Sequence, residues 1–190
     1  MSGVPSEPAD DLDWALSSGQ VSGINLAESL LSAYYIPVFR LELFLLQSPQ
    51  AAGEATLKAF EAALGTPYHA AVSPRSWLLD LARKAGLRRA KKARAVSLTE
   101  SQPADRLERA FWQAFDALSL DDRLVIFAHH VLGLTTDELS EFLHLRQEQA
   151  AQRLATAQAY LQESQQGTGL SWSATGAVLA HRWPAPRLEQ

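Results

Sequence analysis

The chain has 190 residues, 47% of them apolar and 20% charged, which suits one or two small domains and argues against wholesale disorder. It contains no cysteine, excluding a disulfide scaffold, a thiolate zinc site and a cysteine nucleophile. Seventeen basic and 21 acidic residues leave a net charge of −4, so the protein is not a uniformly basic nucleic-acid coat. The charge is unevenly spread. Arg75, Arg83, Lys84, Arg88, Arg89, Lys91, Lys92 and Arg94 stand against Asp80 alone, a local balance of +7 that leaves −11 for the rest.

No continuous run approaches the ~20 apolar residues of a membrane span, and the N-terminus, with Asp10, Asp11 and Asp13, is acidic where a signal peptide is basic. A cytoplasmic protein without membrane insertion is expected. Period-2 runs bounded by turn pairs are almost absent, and the expected fold is all-α. Residues 1–22, rich in Ser, Gly, Pro and acids, read as a loose arm, although its Leu12, Trp14 and Leu16 could dock on a core.

From Ile24, the residues Leu26, Leu30, Leu31, Tyr34, Tyr35, Val38, Leu41 and Leu45 recur at helical spacing, with Pro37 expected to kink or divide the run. A second helix is predicted over 51–64, with Ala52, Ala55, Ala59, Phe60 and Ala63 on one side and Gly65 after its end. Ser73 and Pro74 suit the cap and first turn of a third, whose buried stripe is Trp77, Leu78, Leu81, Ala82 and Ala85. Its C-terminal half carries the basic cluster. Two or three cations there would simply complement the helix dipole, but seven from Arg83 to Arg94 repel one another unless a polyanion relieves them.

Residues 95–104 lack an apolar stripe and read as a linker between a domain at 23–94 and one at 105–163. Asp105 and Glu108 resemble a capping box ahead of Leu107, Ala110, Phe111, Ala114 and Leu118. A helix from Asp121 or Asp122 to Leu132 turns Leu124, Val125, Ala128 and Val131 inward and stops at Gly133. Thr135 with Glu138 caps the next, which buries Leu139, Phe142 and Leu143. After a turn at His144, Leu145 and Arg146, the last helix places Ala150, Leu154, Ala157 and Leu161 on one side. The pair forms a helix-turn-helix that closes a four-helix unit. Residues 164–190 are a tail, either mobile or folded back over a DNA-binding surface; its Ala177–Ala180 piece is too short for a membrane.

Three segments make residues 24–163 resemble bacterial RNA polymerase sigma factors of the extracytoplasmic-function type. Ala52 to Phe60 is similar to the family helix that docks on a polymerase coiled coil: Glu54, Thr56 and Phe60 match it, while Gly53, Leu57 and Lys58 depart from it. Trp77-Leu78-Leu79-Asp80-Leu81-Ala82-Arg83 is similar to the family's Trp-Leu-x-x-Ile-Ala-Arg, with Lys84 and Arg88 in place of its Asn and Asp. Ala117 to Arg123, followed by Gly133, Leu134, Thr135, Glu138, Leu139 and Leu143, matches the second-domain pattern, with Ser119 in a common proline position. The final helix has Gln149-Ala150-Ala151-Gln152-Arg153-Leu154-Ala155-Thr156-Ala157-Gln158, keeping one basic residue where the family pattern has four.

The resemblance implies an N-terminal domain that binds core polymerase and melts the minus-10 promoter element, and a C-terminal domain that reads the minus-35 element. It implies polymerase contacts at Glu54, Thr56 and Phe60, and DNA contacts at Arg83, Lys84, Arg88, Arg89, Lys91, Lys92 and Arg94. In the final helix Gln149, Gln152, Arg153 and Thr156 are the candidate readers, since Gln can pair with adenine and Arg with guanine. Core polymerase, promoter DNA and an anti-sigma protein are the implied partners, with no cofactor or metal.

His69, His129, His130, His144 and His181 form no His-x-x-x-His pair, and neither a Gly-x-Ser-x-Gly nor a Gly-x-x-x-x-Gly-Lys motif occurs, so catalysis has no support. Two other readings stay open. One is a sigma-factor mimic or diverged regulator that binds an anti-sigma protein without reading DNA. The other is a helix-turn-helix repressor with an unrelated dimerisation unit.

Overall fold

A computed structural model describes residues 23–66, 68, 72–92, 106–164 and 175–186. Every regular element among them is helical: α1 (Gly23–Leu46), α2 (Pro49–Leu64), α3 (Pro74–Lys92), α4 (Arg106–Ala117), α5 (Leu120–His130), α6 (Thr136–Leu143), α7 (Gln147–Ser164) and α8 (Thr175–Arg182). They fall into two compact units, α1–α3 and α4–α8. The acidic arm, the 95–104 linker and the Asp105 cap lie outside the described residues.

In the first unit each helix packs on the other two. Leu30, Tyr34, Val38 and Leu41 of α1 meet Ala52, Ala55, Ala59, Phe60 and Ala63 of α2, and Leu78, Leu79 and Ala82 of α3 close the core. The small alanines of α2 let the helix backbones approach. Pro37 neither ends nor divides α1, which runs through it as one helix. The helix stops where Gln47 takes a left-handed conformation (φ 56°). Ser48 then caps α2, its hydroxyl accepting from the Ala51 N–H.

Contrary to the expectation of no membrane-length run, Ala27–Leu46 is long and apolar enough to cross a bilayer. It holds no unbroken apolar stretch of that length, because Glu28, Arg40 and Glu42 interrupt it. Half of the segment is buried, and its apolar residues serve as the core of this unit.

Two interlocked motifs organise the second unit. Thr135 and Glu138 form the predicted reciprocal capping box at the start of α6. His144, left-handed at φ 55°, ends α6 and leads through a short turn into α7. Ala150, Leu154, Ala157 and Leu161 of α7 are all buried, as their spacing predicts, against α4, α5 and α6.

Within the 164–190 segment read as a tail, residues 175–184 form a fifth element of this unit. Leu179 and Trp183 are buried. The Trp183 ring lies 5.3 Å from Phe127, 5.8 Å from Trp112 and 5.9 Å from Phe115. The Arg182 guanidinium sits 4.4 Å over the Trp112 ring and 3.8 Å from Asp116, which also lies 3.7 Å from Arg123. A domain of four helices would therefore leave an aromatic face of α4 and α5 uncovered; α8 and Trp183 cover it.

Candidate nucleic-acid interface

The basic helix α3 begins as its sequence predicts. The Ser73 hydroxyl accepts from the Ser76 N–H at 3.1 Å, Pro74 occupies the first turn, and Trp77 packs edge-on against Tyr68 at 5.4 Å. Its buried face is turned by about one residue from the predicted stripe. Leu78, Leu79, Ala82 and Gly86 are buried, while Trp77, Leu81 and Ala85 lie at the margin.

That rotation sorts the basic residues into three groups. Lys84, Arg88 and Lys91 are exposed, and their i, i+4, i+7 spacing sets them on one solvent stripe. Arg83 and Lys84 both reach the largely buried Asp80, at 2.8 and 2.5 Å. This carboxylate anchors the stripe's first residue to the helix. Arg89 points instead toward the other helices of its unit, 3.8 Å from Glu54 of α2, and its charge also acts on Glu42 of α1. Lys92 ends the helix, and Arg94 lies outside the described residues.

Glu42 is a functional candidate that sequence reasoning passed over. It is fully buried, with neither carboxyl oxygen hydrogen-bonded among the described residues. Burial pushes its carboxyl up to about 8 from an ordinary 4.5, the Arg89 charge pulling the other way. It fits because residue 86 is glycine: a Cβ there would stand 2.5 Å from its Oε2 and 2.7 Å from Cδ1 of Leu45.

Of the three residues matched to a polymerase-docking helix, Glu54 is exposed. Thr56 and Phe60 are core residues of this unit, the Thr56 hydroxyl donating to the Ala52 carbonyl at 2.8 Å. Phe60 forms the floor of an apolar cleft with Leu30, Leu31, Leu57 and Leu64, and the last two are about half exposed.

In α7, Gln152 and Thr156 are exposed on one face. The Gln149 side chain accepts from the Arg146 N–H at the start of the helix. Arg153 is held within the unit, its Nε donating to Asp122 at 2.8 Å and its Nη2 lying 3.4 Å from Asp121, both in the first turn of α5. Partial burial alone would raise the Asp122 carboxyl, but hydrogen bonds from Ser119 and Arg153, with the Arg153 charge, lower it overall. Nothing in the local α7 sequence signals this pair, whose members stand 31 residues apart.

His129 donates from Nδ1 to the Leu134 carbonyl at 2.9 Å, and His130 meets Gln158 at 3.2 Å. Burial first and the neighbouring His129 second push His130 down to about 4, which suits a neutral packing residue. Among the described residues no group of three His, Asp or Glu is placed to hold a metal ion.

No family model matches the sequence, and no curated protein matches it. The fold is found among solved structures. A structure of CnrH in complex with the cytosolic domain of CnrY aligns with a TM-score of 0.61 over 83% of this chain and 96% of that one. The two sequences are 17% identical, so the likeness is one of fold.

Proposed function

We propose that the protein is a transcription initiation factor of the sigma type, acting in the bacterial cytoplasm by binding core RNA polymerase and promoter DNA rather than by covalent chemistry. The observation that carries this reading is the exposed stripe of Lys84, Arg88 and Lys91 on a helix whose opposite face is fixed in a core. A rigid row of cations suits a phosphate backbone, whose neutralisation releases counterions. The fold shared with CnrH, an extracytoplasmic-function sigma factor, supports the same reading.

Most DNA affinity then belongs to α3. The segment from α6 through α7 carries Asp137, Glu138, Glu141, Glu148 and Glu163 against Arg146 and Arg153, so it repels phosphate overall. This acidic pair of helices, with Arg153 tied to α5, favours a second reading: a diverged regulator that engages an anti-sigma protein. CnrH itself was solved with the cytosolic domain of CnrY.

Run-off transcription from genomic fragments with purified core polymerase separates the two, since the initiation factor yields transcripts above the core-only background and the regulator does not. The DNA surface is checked by affinity against salt. Substituting Lys84, Arg88 and Lys91 by Ala should lower the slope by about three units.

A further inference from the structure

The proposed use of α3 leaves Glu42 unexplained. A carboxyl with no hydrogen-bond partner among the described residues, sealed between α1 and α3, is costly to bury. The chain nevertheless makes room for it, by placing its one helix-α3 glycine opposite Oε2. The charged groups around it are few. From α3, Arg89 acts on it directly; from α2, Glu54 reaches it through Arg89 at 3.8 Å. On α1, Arg40 lies two residues away, which is the far side of the helix. One Nη of Arg89 is itself buried and lacks a hydrogen bond among the described residues. Arg89 thus stands between two carboxyl groups at the edge of the basic stripe, fully committed to neither.

We propose that Glu42 is a proton-linked regulator of polyanion binding by α3: protonated, it leaves Arg89 available to a phosphate backbone, and ionised, it draws Arg89 back against α1. This rests on α3 being the polyanion surface. The coupling is reciprocal, as linkage requires. A bound polyanion makes Glu42 harder to ionise, so binding takes up a proton near the pH at which the carboxyl titrates, raised by burial to about 8.

The test uses the full chain, a fluorescently labelled oligodeoxynucleotide and anisotropy at one fixed ionic strength from pH 6.5 to 9.5. Wild-type affinity should fall about three- to tenfold across this range, the effect of one added negative charge roughly 10 Å from phosphate at an effective dielectric of ~20, about 16-fold before salt screening reduces it. E42Q, near-isosteric and unable to ionise, should hold the low-pH affinity throughout. R89A should be flat at the weaker level. A carbon-13 titration of the Glu42 carboxyl provides a second measurement that does not depend on the variants, with a midpoint near 8 that rises when oligonucleotide is added. Equal pH profiles for wild type and E42Q, or a carboxyl midpoint below 6, overturn the coupling. If wild type binds no oligonucleotide at any pH, the polyanion reading falls together with it. If binding is weakened by K84A/R88A but both proteins are pH-independent, the polyanion reading stands and the coupling alone is wrong.

Discussion

Replacing Glu42 by Gln should remove a pH dependence from the stability of the first unit. The folded-state value of about 8 lies above the ordinary 4.5, so between these pH values the folded chain keeps a proton that the unfolded chain releases. The sign is opposite to that of a salt-bridged carboxylate. The cost is absent below about pH 4, grows through the interval, and is complete above pH 8. At 1.36 kcal/mol per pH unit this is about 3 kcal/mol at pH 7 and about 5 kcal/mol above pH 8. The amide of Gln carries its own burial cost, but that cost does not change with pH. Urea unfolding of both proteins at pH 4.5, 7 and 9, followed through the methyl signals of Leu78 and Leu79 in the core of α3, measures the difference. A stability gap between wild type and E42Q that stays constant across these pH values would refute the assignment.

The cradle around this carboxyl makes a second prediction: G86A should destabilise the first unit by ~1 to 3 kcal/mol, because its Cβ meets Oε2 at 2.5 Å, and G86A/E42A should recover part of the loss in the same urea assay. W183A should cost the second unit ~3 to 5 kcal/mol by emptying the site between Trp112, Phe115 and Phe127, with a lowered melting temperature as the readout. R153A breaks a partly exposed ion pair and should cost no more than about 1 kcal/mol. It should also leave the preferred sequences in a binding-site selection unchanged; altered base preference would show that Arg153 leaves Asp122 to read DNA.

What the sequence revealed and what it hid follow from range. The Ser73 and Thr135 caps, and the buried Ala150, Leu154, Ala157 and Leu161, were legible because each depends on residues within a turn or two of the same helix. Pro37 was misleading because a proline signal is local, whereas the packing of α1 on both α2 and α3 outweighs it. In α3 the many cations obscured which side faced inward, and the stripe emerged one residue away from its predicted place. Glu42 carries no local signal of burial, because Gly86, the residue that makes room for its carboxyl, stands 44 positions later in the chain. The helix α8 carried only Val178, Leu179 and Trp183 as apolar signal in a stretch of small residues, too little to show that it completes a core.

That late-arriving helix also sets the order in which the second unit can be built. Trp183 joins a ring cluster whose first members lie roughly seventy residues upstream, so the contact that seals the aromatic face is among the most distant in sequence. During synthesis α4 to α7 leave the ribosome with Phe115 and Phe127 still awaiting their cover, and they must remain soluble until Leu179 and Trp183 emerge. A nascent chain exposed outside the ribosome only through residue 170 would therefore present a sticky, chaperone-binding intermediate, whereas one exposed through residue 184 would present a protease-resistant domain.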